Sequence, residues 1–147
     1  MGNLMITSSA TPTNRSIIPN NISSVKAKIG NKVYTLEIAR SMQTKSKGLS
    51  YRKKMEKDQG MLFVFYHPDR SAFTMHGMNF PLDFIWLKGE KIVDLTRNVP
   101  NPPSTAIIES LSPVIANQNF DLAIELNAGE IKNSGIKTGD SISFDLH

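Results

Sequence analysis

Two runs of alternating apolar and polar residues, Val25-Lys26-Ala27-Lys28-Ile29 and Val33-Tyr34-Thr35-Leu36-Glu37-Ile38-Ala39, stand on either side of Gly30-Asn31. No other feature restricts the fold of this chain as much. A period of two turns one face of each run toward a core, and a Gly-Asn pair between two such runs is a hairpin signal. A lone hairpin is marginal in water, so the rest of the chain has to supply further strands or a cover.

It supplies strands. Met61-Leu62-Phe63-Val64-Phe65 is apolar without interruption, bounded by Gly60 and His67-Pro68-Asp69, and predicts a strand buried on both faces. Phe80 to Leu87 and Lys91 to Leu95 predict a second hairpin with Lys88-Gly89-Glu90 at the bend. Asp121 to Leu126 predicts another strand. Ser141 to Leu146 predicts the last, entered through Lys137-Thr138-Gly139-Asp140. Helical signals are confined to Ser41 to Leu49, with Ser41 as N-cap and Gly48 near the end, and to Ala128 to Asn133. The segment Asn98 to Ser104 holds three prolines, which remove amide donors and predict irregular backbone. The expected class is strand-dominated α+β: a small single-domain β-barrel-like sheet, closed or half-closed, with one or two short helices.

The chain has 147 residues, which fits one domain. Residues 1 to 24 are rich in Ser, Thr, Asn and Pro and predict a flexible tail, with a single globular domain over 25 to 147. No apolar run approaches the roughly 20 residues needed to span a bilayer. The start lacks the basic and apolar regions of a signal peptide, and Ile6 stands where a myristoylation motif has Ser or Thr. Cysteine is absent, which excludes disulfides, thiol nucleophiles and thiolate-built zinc sites but leaves the compartment open.

Charge is unevenly placed. Between Arg40 and Lys57 the seven cations Arg40, Lys45, Lys47, Arg52, Lys53, Lys54 and Lys57 face Glu56 alone, a local +6. Such a stretch could meet an anionic partner by electrostatic steering, or simply be a solvated helix face. Tyr51 is the one aromatic residue among these cations, which argues against nucleic acid as the partner.

Met75-His76-Gly77-Met78 gathers soft donors of the kind that suit Cu(I). Methionine is also a common filler of cores, and no second His lies nearby, so packing is expected, with no metal and no cofactor. Asp83 lies within Pro81 to Leu87, where alternation puts it on the face opposite Leu82 and Phe84. A carboxylate in such company must be paired, hydrogen-bonded or shifted in pKa. Backbone N–H groups of the Gly77 to Phe80 loop, Arg52 and His76 are the expected partners. Glu125 is similarly embedded in Leu122 to Leu126, with Asn127 on its face. The candidate binding residues are therefore Arg52, Met75, His76, Asn79, Asp83 and Glu125. No Gly-rich phosphate loop, nucleophile elbow or paired-His motif is present.

Five blocks occur in one order: Lys47-Gly48-Leu49-Ser50-Tyr51-Arg52; Gly60 to Phe65; Phe73-Thr74-Met75 with Phe80-Pro81-Leu82-Asp83; Ile124 to Gly129; and Gly135 to Asp140. Together they resemble the family known as domain of unknown function 192, over roughly Val25 to Leu146. The resemblance implies a compact domain around a β-barrel-like sheet, often behind a signal peptide or membrane anchor, and implies no reaction. An extracytoplasmic or membrane-tethered placement follows as an expectation. Thr74 stands where the family usually has Trp, and Ser50 where it usually has Met or a similar apolar residue. If that Trp lines a pocket in relatives, Thr74 enlarges or polarises it here. His76 occupies a position that tolerates Lys in relatives.

Three functions fit this reading. The favoured one is a non-catalytic ligand- or partner-binding module at the cell envelope, with Arg52, His76, Asn79 and Asp83 near its mouth and a small-molecule or anionic partner. The second is a hydrolase or isomerase using Asp83 and Glu125 as a carboxylate pair. The third is a nucleic-acid or anionic-surface binder acting through Arg40 to Lys57.

Overall fold

The computed structural model describes residues 17–146. The elements in chain order are β1 (Ser24–Ile29), β2 (Lys32–Ala39), α1 (Met42–Lys47), β3 (Gln59–Asp69), β4 (Leu82–Lys88), β5 (Lys91–Val99), a 3-10 turn (Ile108–Ser110), β6 (Phe120–Asn127), α2 (Glu130–Ser134) and β7 (Ser143–Asp145). The expected strands all form, within a few residues at their ends. β5 runs on to Val99 and so takes in the first two residues of the stretch expected to be irregular. Asn98 accommodates this with a left-handed φ of 55°.

The strands make one sheet in the order β5-β4-β6-β3-β2-β1-β7. Every pair is antiparallel except β2 with β3, and α1 lies in the crossover that a parallel pair requires. The sheet curls far enough for its ends to meet. Lys91 bridges Ser141, the Ile92 N–H donates to the Asp140 carbonyl (2.8 Å), and the Gly139 N–H donates to the Ile92 carbonyl (2.9 Å). The result is a half-barrel, one of the two forms that the sequence pattern leaves open.

Gly30 fixes the first hairpin. Its φ is +61°, and a Cβ there would sit 2.0 Å from the Ser134 carbonyl oxygen, which accepts the Asn31 N–H. The turn and the end of α2 approach too closely for any side chain. α1 opens with a capping box in which Ser41 and Thr44 exchange hydrogen bonds, and it ends at Gly48.

Period two divides the core. Tyr34, Leu36, Ile85, Leu87, Ile124 and Phe144 point into the barrel. Phe63, Phe84, Trp86 and Ala123 point outward and are covered by Leu49, Met75, Met78, Val114 and Ala116 from the connecting segments. The central strands β3, β4 and β6 are thus buried on both faces, as the unbroken apolar run of β3 predicts. Full burial of a side chain such as Phe84 or Leu87 stabilises by about 1.5–3 kcal/mol. Trp86 reaches Thr96 Oγ1 with its indole N–H at 2.9 Å, so its one polar atom is not stranded.

Residues 17–24 of the expected tail are described, and they pack on the domain. Ile18 is buried in the barrel core, and Arg40 donates to the carbonyls of Pro19 and Ile22. Ile18, with Ile17 and Ile22 packed beside it, anchors what a count of polar residues reads as unanchored. Residues 1–16 of that expected tail lie outside the described residues.

Candidate functional site

The barrel and its outer cover treat their buried polar groups differently. Five polar or charged residues are buried among the described residues: Asp83, Asp121, Glu125, Glu130 and Ser134. Asp83 accepts three backbone N–H bonds, from Asn98 (2.7 Å), Gly129 (3.0 Å) and Ile131 (2.9 Å). Glu130 takes Lys32 Nζ (2.7 Å) and the Tyr34 hydroxyl (2.6 Å) on one oxygen. Burial alone would raise the Glu130 pKa, but those hydrogen bonds outweigh it and hold the carboxyl low. Asp121 accepts the Gly89 N–H, and Ser134 donates to the Ile131 carbonyl.

Glu125 is the exception. It lies on the outward face of β6 between two cross-strand neighbours, Met61 of β3 and Phe84 of β4. It is 5% exposed, and its carboxyl has no hydrogen bond or ion pair among the described residues. Burial pushes its pKa up to about 8, with no partner to offset it. At neutral pH the group is therefore mostly a neutral acid.

Its carboxyl opens onto a cavity of about 440 Å³ lined by α1, β3 and the segment 71–78. Leu49, Phe63, Phe65, Phe73 and Met78 form apolar walls, and Ser50 and Thr74 add hydroxyls. Phe73 meets Phe63 edge-on at 5.0 Å between ring centroids, which fixes the aromatic wall. Met42 and Ile108 also line the cavity and are 84% and 49% exposed, so they mark its mouth. Lys47 is exposed at the same mouth, while Lys45 is half-buried. Lys45 Nζ donates to the Val64 carbonyl (3.0 Å) and sits 4.2 Å over the Phe65 ring. Burial lowers its pKa, and the nearby Asp69 charge opposes that shift.

The six residues singled out from sequence do not converge. Asp83 faces into the barrel, where its partners are not the Gly77 to Phe80 loop, Arg52 or His76 but the end of β5 and the start of α2. Its neighbour across the strands is Leu126, whereas Glu125 stands opposite Phe84. Residues opposite each other share a face and adjacent residues do not, so Asp83 and Glu125 lie on opposite sides of the sheet. A carboxylate pair built from them has no common space in which to act.

Arg52 holds Glu37 in a two-pronged pair, Nη1–Oε2 at 2.5 Å and Nη2–Oε1 at 2.9 Å. The hydrogen bonds from Arg52 hold the Glu37 carboxyl below its ordinary range. Asn79 Nδ2 donates to the Arg52 carbonyl at 2.8 Å, which joins those two candidates. His76 and Asn79 line a second, smaller hollow of about 200 Å³ with Tyr51, Pro102 and Pro103. Met75 is buried in the outer core, as packing predicts. Among the described residues no three His, Asp or Glu side chains gather as a metal would need.

Of the residues around the main cavity, the sequence reading names Glu125 as a candidate and misses Lys45, Leu49, Phe65 and Phe73 as lining. A signal was present: Ser50 and Thr74, the two departures from the family pattern, both line it. Of the seven cations in Arg40 to Lys57, Arg40, Lys45 and Arg52 are engaged within the fold, and Lys54 lies 3.6 Å from Glu56. No helix is long and apolar enough to cross a membrane among the described residues.

Residues 25–144 match domain of unknown function 192, described as Uncharacterized ACR, and the chain belongs to that family. Two solved structures share the fold. One is a protein from Sinorhizobium meliloti 1021 described as a candidate transcription regulator, with a TM-score of 0.72 and 25% identity over 85% of this chain and 98% of that one. The other is a protein of unknown function from Novosphingobium aromaticivorans DSM 12444, with a TM-score of 0.69 and 25% identity over 97% of this chain and 99% of that one. No curated protein matches the sequence.

Proposed function

We propose that this domain is a non-catalytic binding module that takes a small, largely apolar molecule into the cavity between α1, β3 and the segment 71–78, with Glu125 orienting it. One observation carries the reading: of the five buried polar or charged residues among those described, Glu125 alone has no side-chain hydrogen bond or ion pair, and it opens onto that cavity. Burying a polar group without a hydrogen bond costs about 1–3 kcal/mol. A ligand that meets the carboxyl removes this cost when it binds. The volume supports the same reading, since pockets for small molecules run from about 300 to 1,000 Å³. Placement at the cell envelope belongs to the proposal through the family resemblance, and cell fractionation tests it.

The regulator description of one neighbour is not carried over. Of the seven cations that a nucleic-acid reading would use, Arg52 and Lys54 face carboxylates of the chain and Arg40 is turned to the carbonyls of Pro19 and Ile22. A patch so depleted gives few phosphate contacts.

The test restores the family pattern. Thr74→Trp together with Ser50→Met fills the cavity with the residues usual in relatives. The double variant loses the Ser50 and Thr74 hydroxyl bonds to the His76 backbone. It is therefore expected to fold with a slightly lower melting temperature and to lose the stabilisation that small amphipathic molecules give the wild type in a thermal-shift screen. Equal stabilisation of both proteins would place the binding elsewhere and refute the reading.

A further inference from the structure

The geometry points to an organic anion as the cavity's ligand: its acid group at Lys45 and Lys47, its apolar body on the aromatic wall, and a neutral oxygen at its deep end meeting the Glu125 carboxyl. This inference rests on the cavity being a binding site and names the chemistry of what it holds.

The charged and titratable groups facing the cavity are few. α1 contributes Lys45 and Lys47, β6 contributes Glu125, and β3 and the segment 71–78 line it with Phe63, Phe65, Ser71, Phe73 and Thr74. The Asp69 carboxylate of β3 lies near Lys45 and accepts from the Ser71 hydroxyl and the Arg70 N–H. Glu125's own cross-strand neighbours, Met61 and Phe84, carry no charge. Two ammonium groups against one carboxylate leave the mouth net positive, and near neutral pH the floor is uncharged. An anion gains at that mouth on approach and after docking, whereas an ammonium is opposed twice.

Each end also has free hydrogen-bonding capacity. An ammonium carries three N–H donors, and the Val64 carbonyl takes one from Lys45 at 3.0 Å. The others are free for a ligand acid group. A neutral carboxyl offers one O–H donor, and no acceptor for it lies within reach of Glu125 among the described residues. A ligand hydroxyl or carbonyl oxygen supplies that acceptor. The wall between the two ends is aromatic and aliphatic, so it selects a hydrocarbon or ring body. A cavity of about 150 Å³ accommodates benzene, so about 440 Å³ accommodates a ligand of about 18 non-hydrogen atoms.

Three probes of equal length separate the alternatives: ω-hydroxydecanoate, the matched amino alcohol and the matched diol, each titrated into the full chain by calorimetry. The hydroxy acid is expected to bind at least about tenfold tighter than the amino alcohol at pH 7. Lys47→Glu, at an exposed position, should reverse that order without changing the melting temperature. If the neutral Glu125 carboxyl is the binding form, wild-type affinity for the hydroxy acid falls about tenfold from pH 7 to pH 9. The variant E125Q should flatten that fall and so separate Glu125 from any titration of Lys45.

Tighter binding of the amino alcohol, increasing toward pH 9, would overturn the anion inference while leaving the binding module intact. Equal affinity for diol and hydroxy acid would do the same. Binding of none of the three, together with a wild type indistinguishable from the cavity-filled double variant across the screen, would overturn both.

Discussion

Replacing Glu125 by Gln should make the protein more stable, and increasingly so as the pH rises. In the unfolded chain Glu125 ionises near its ordinary value of 4.5, whereas in the folded protein it holds its proton until about pH 8. Between those values the folded state binds more protons than the unfolded one, so its stability falls with rising pH. The contribution of the neutral acid is fully present below pH 4.5, declines through the interval, and stops changing above pH 8. At about 1.4 kcal/mol for each pH unit, about 3 kcal/mol has gone by pH 7 and about 5 kcal/mol by pH 9. Glutamine has the shape of the neutral acid and does not titrate. E125Q and wild type should therefore have similar stabilities at pH 4.5 and separate by about 3 kcal/mol at pH 7. Urea denaturation followed by circular dichroism at pH 4.5, 7 and 9 measures the difference directly. Parallel stability profiles of the two proteins would mean that Glu125 is not a desolvated acid, and the site would lose its defining group.

Asp83→Ala should cost about 2–4 kcal/mol, because one buried and two part-buried N–H groups lose their common acceptor; an unchanged urea midpoint would refute a structural role. Gly30→Ala should cost at least about 2 kcal/mol through its positive φ and its approach to Ser134, read from thermal melts. A double-mutant cycle of Arg52→Ala and Glu37→Ala should return a coupling below about 1 kcal/mol, since both side chains are more than a third exposed and water screens the pair. A larger coupling would show that the pair is less solvated than its exposure implies.

The architecture was legible because its signals are local. A strand's period of two and the left-handed turn at Gly30 are properties of neighbouring residues, so the strands, the first hairpin and the short capped helix could be read directly. The burial of Ile18 was not legible, because an anchoring contact with a distant core leaves no local pattern. Asp83 was correctly read as a carboxylate that its surroundings must compensate, but its partners are separated from it by 15 to 48 positions.

Glu125 shows the limit most clearly. Hydrophobic periodicity is written residue by residue, so it places both carboxylates in apolar strands. Only the tertiary structure decided that β4 and β6 pair with Asp83 opposite Leu126 and Phe84 opposite Glu125. That register is set by long-range packing, and a shift of one residue would have exchanged the faces. It turned one acid inward to backbone donors and the other outward, without a partner, into the cavity.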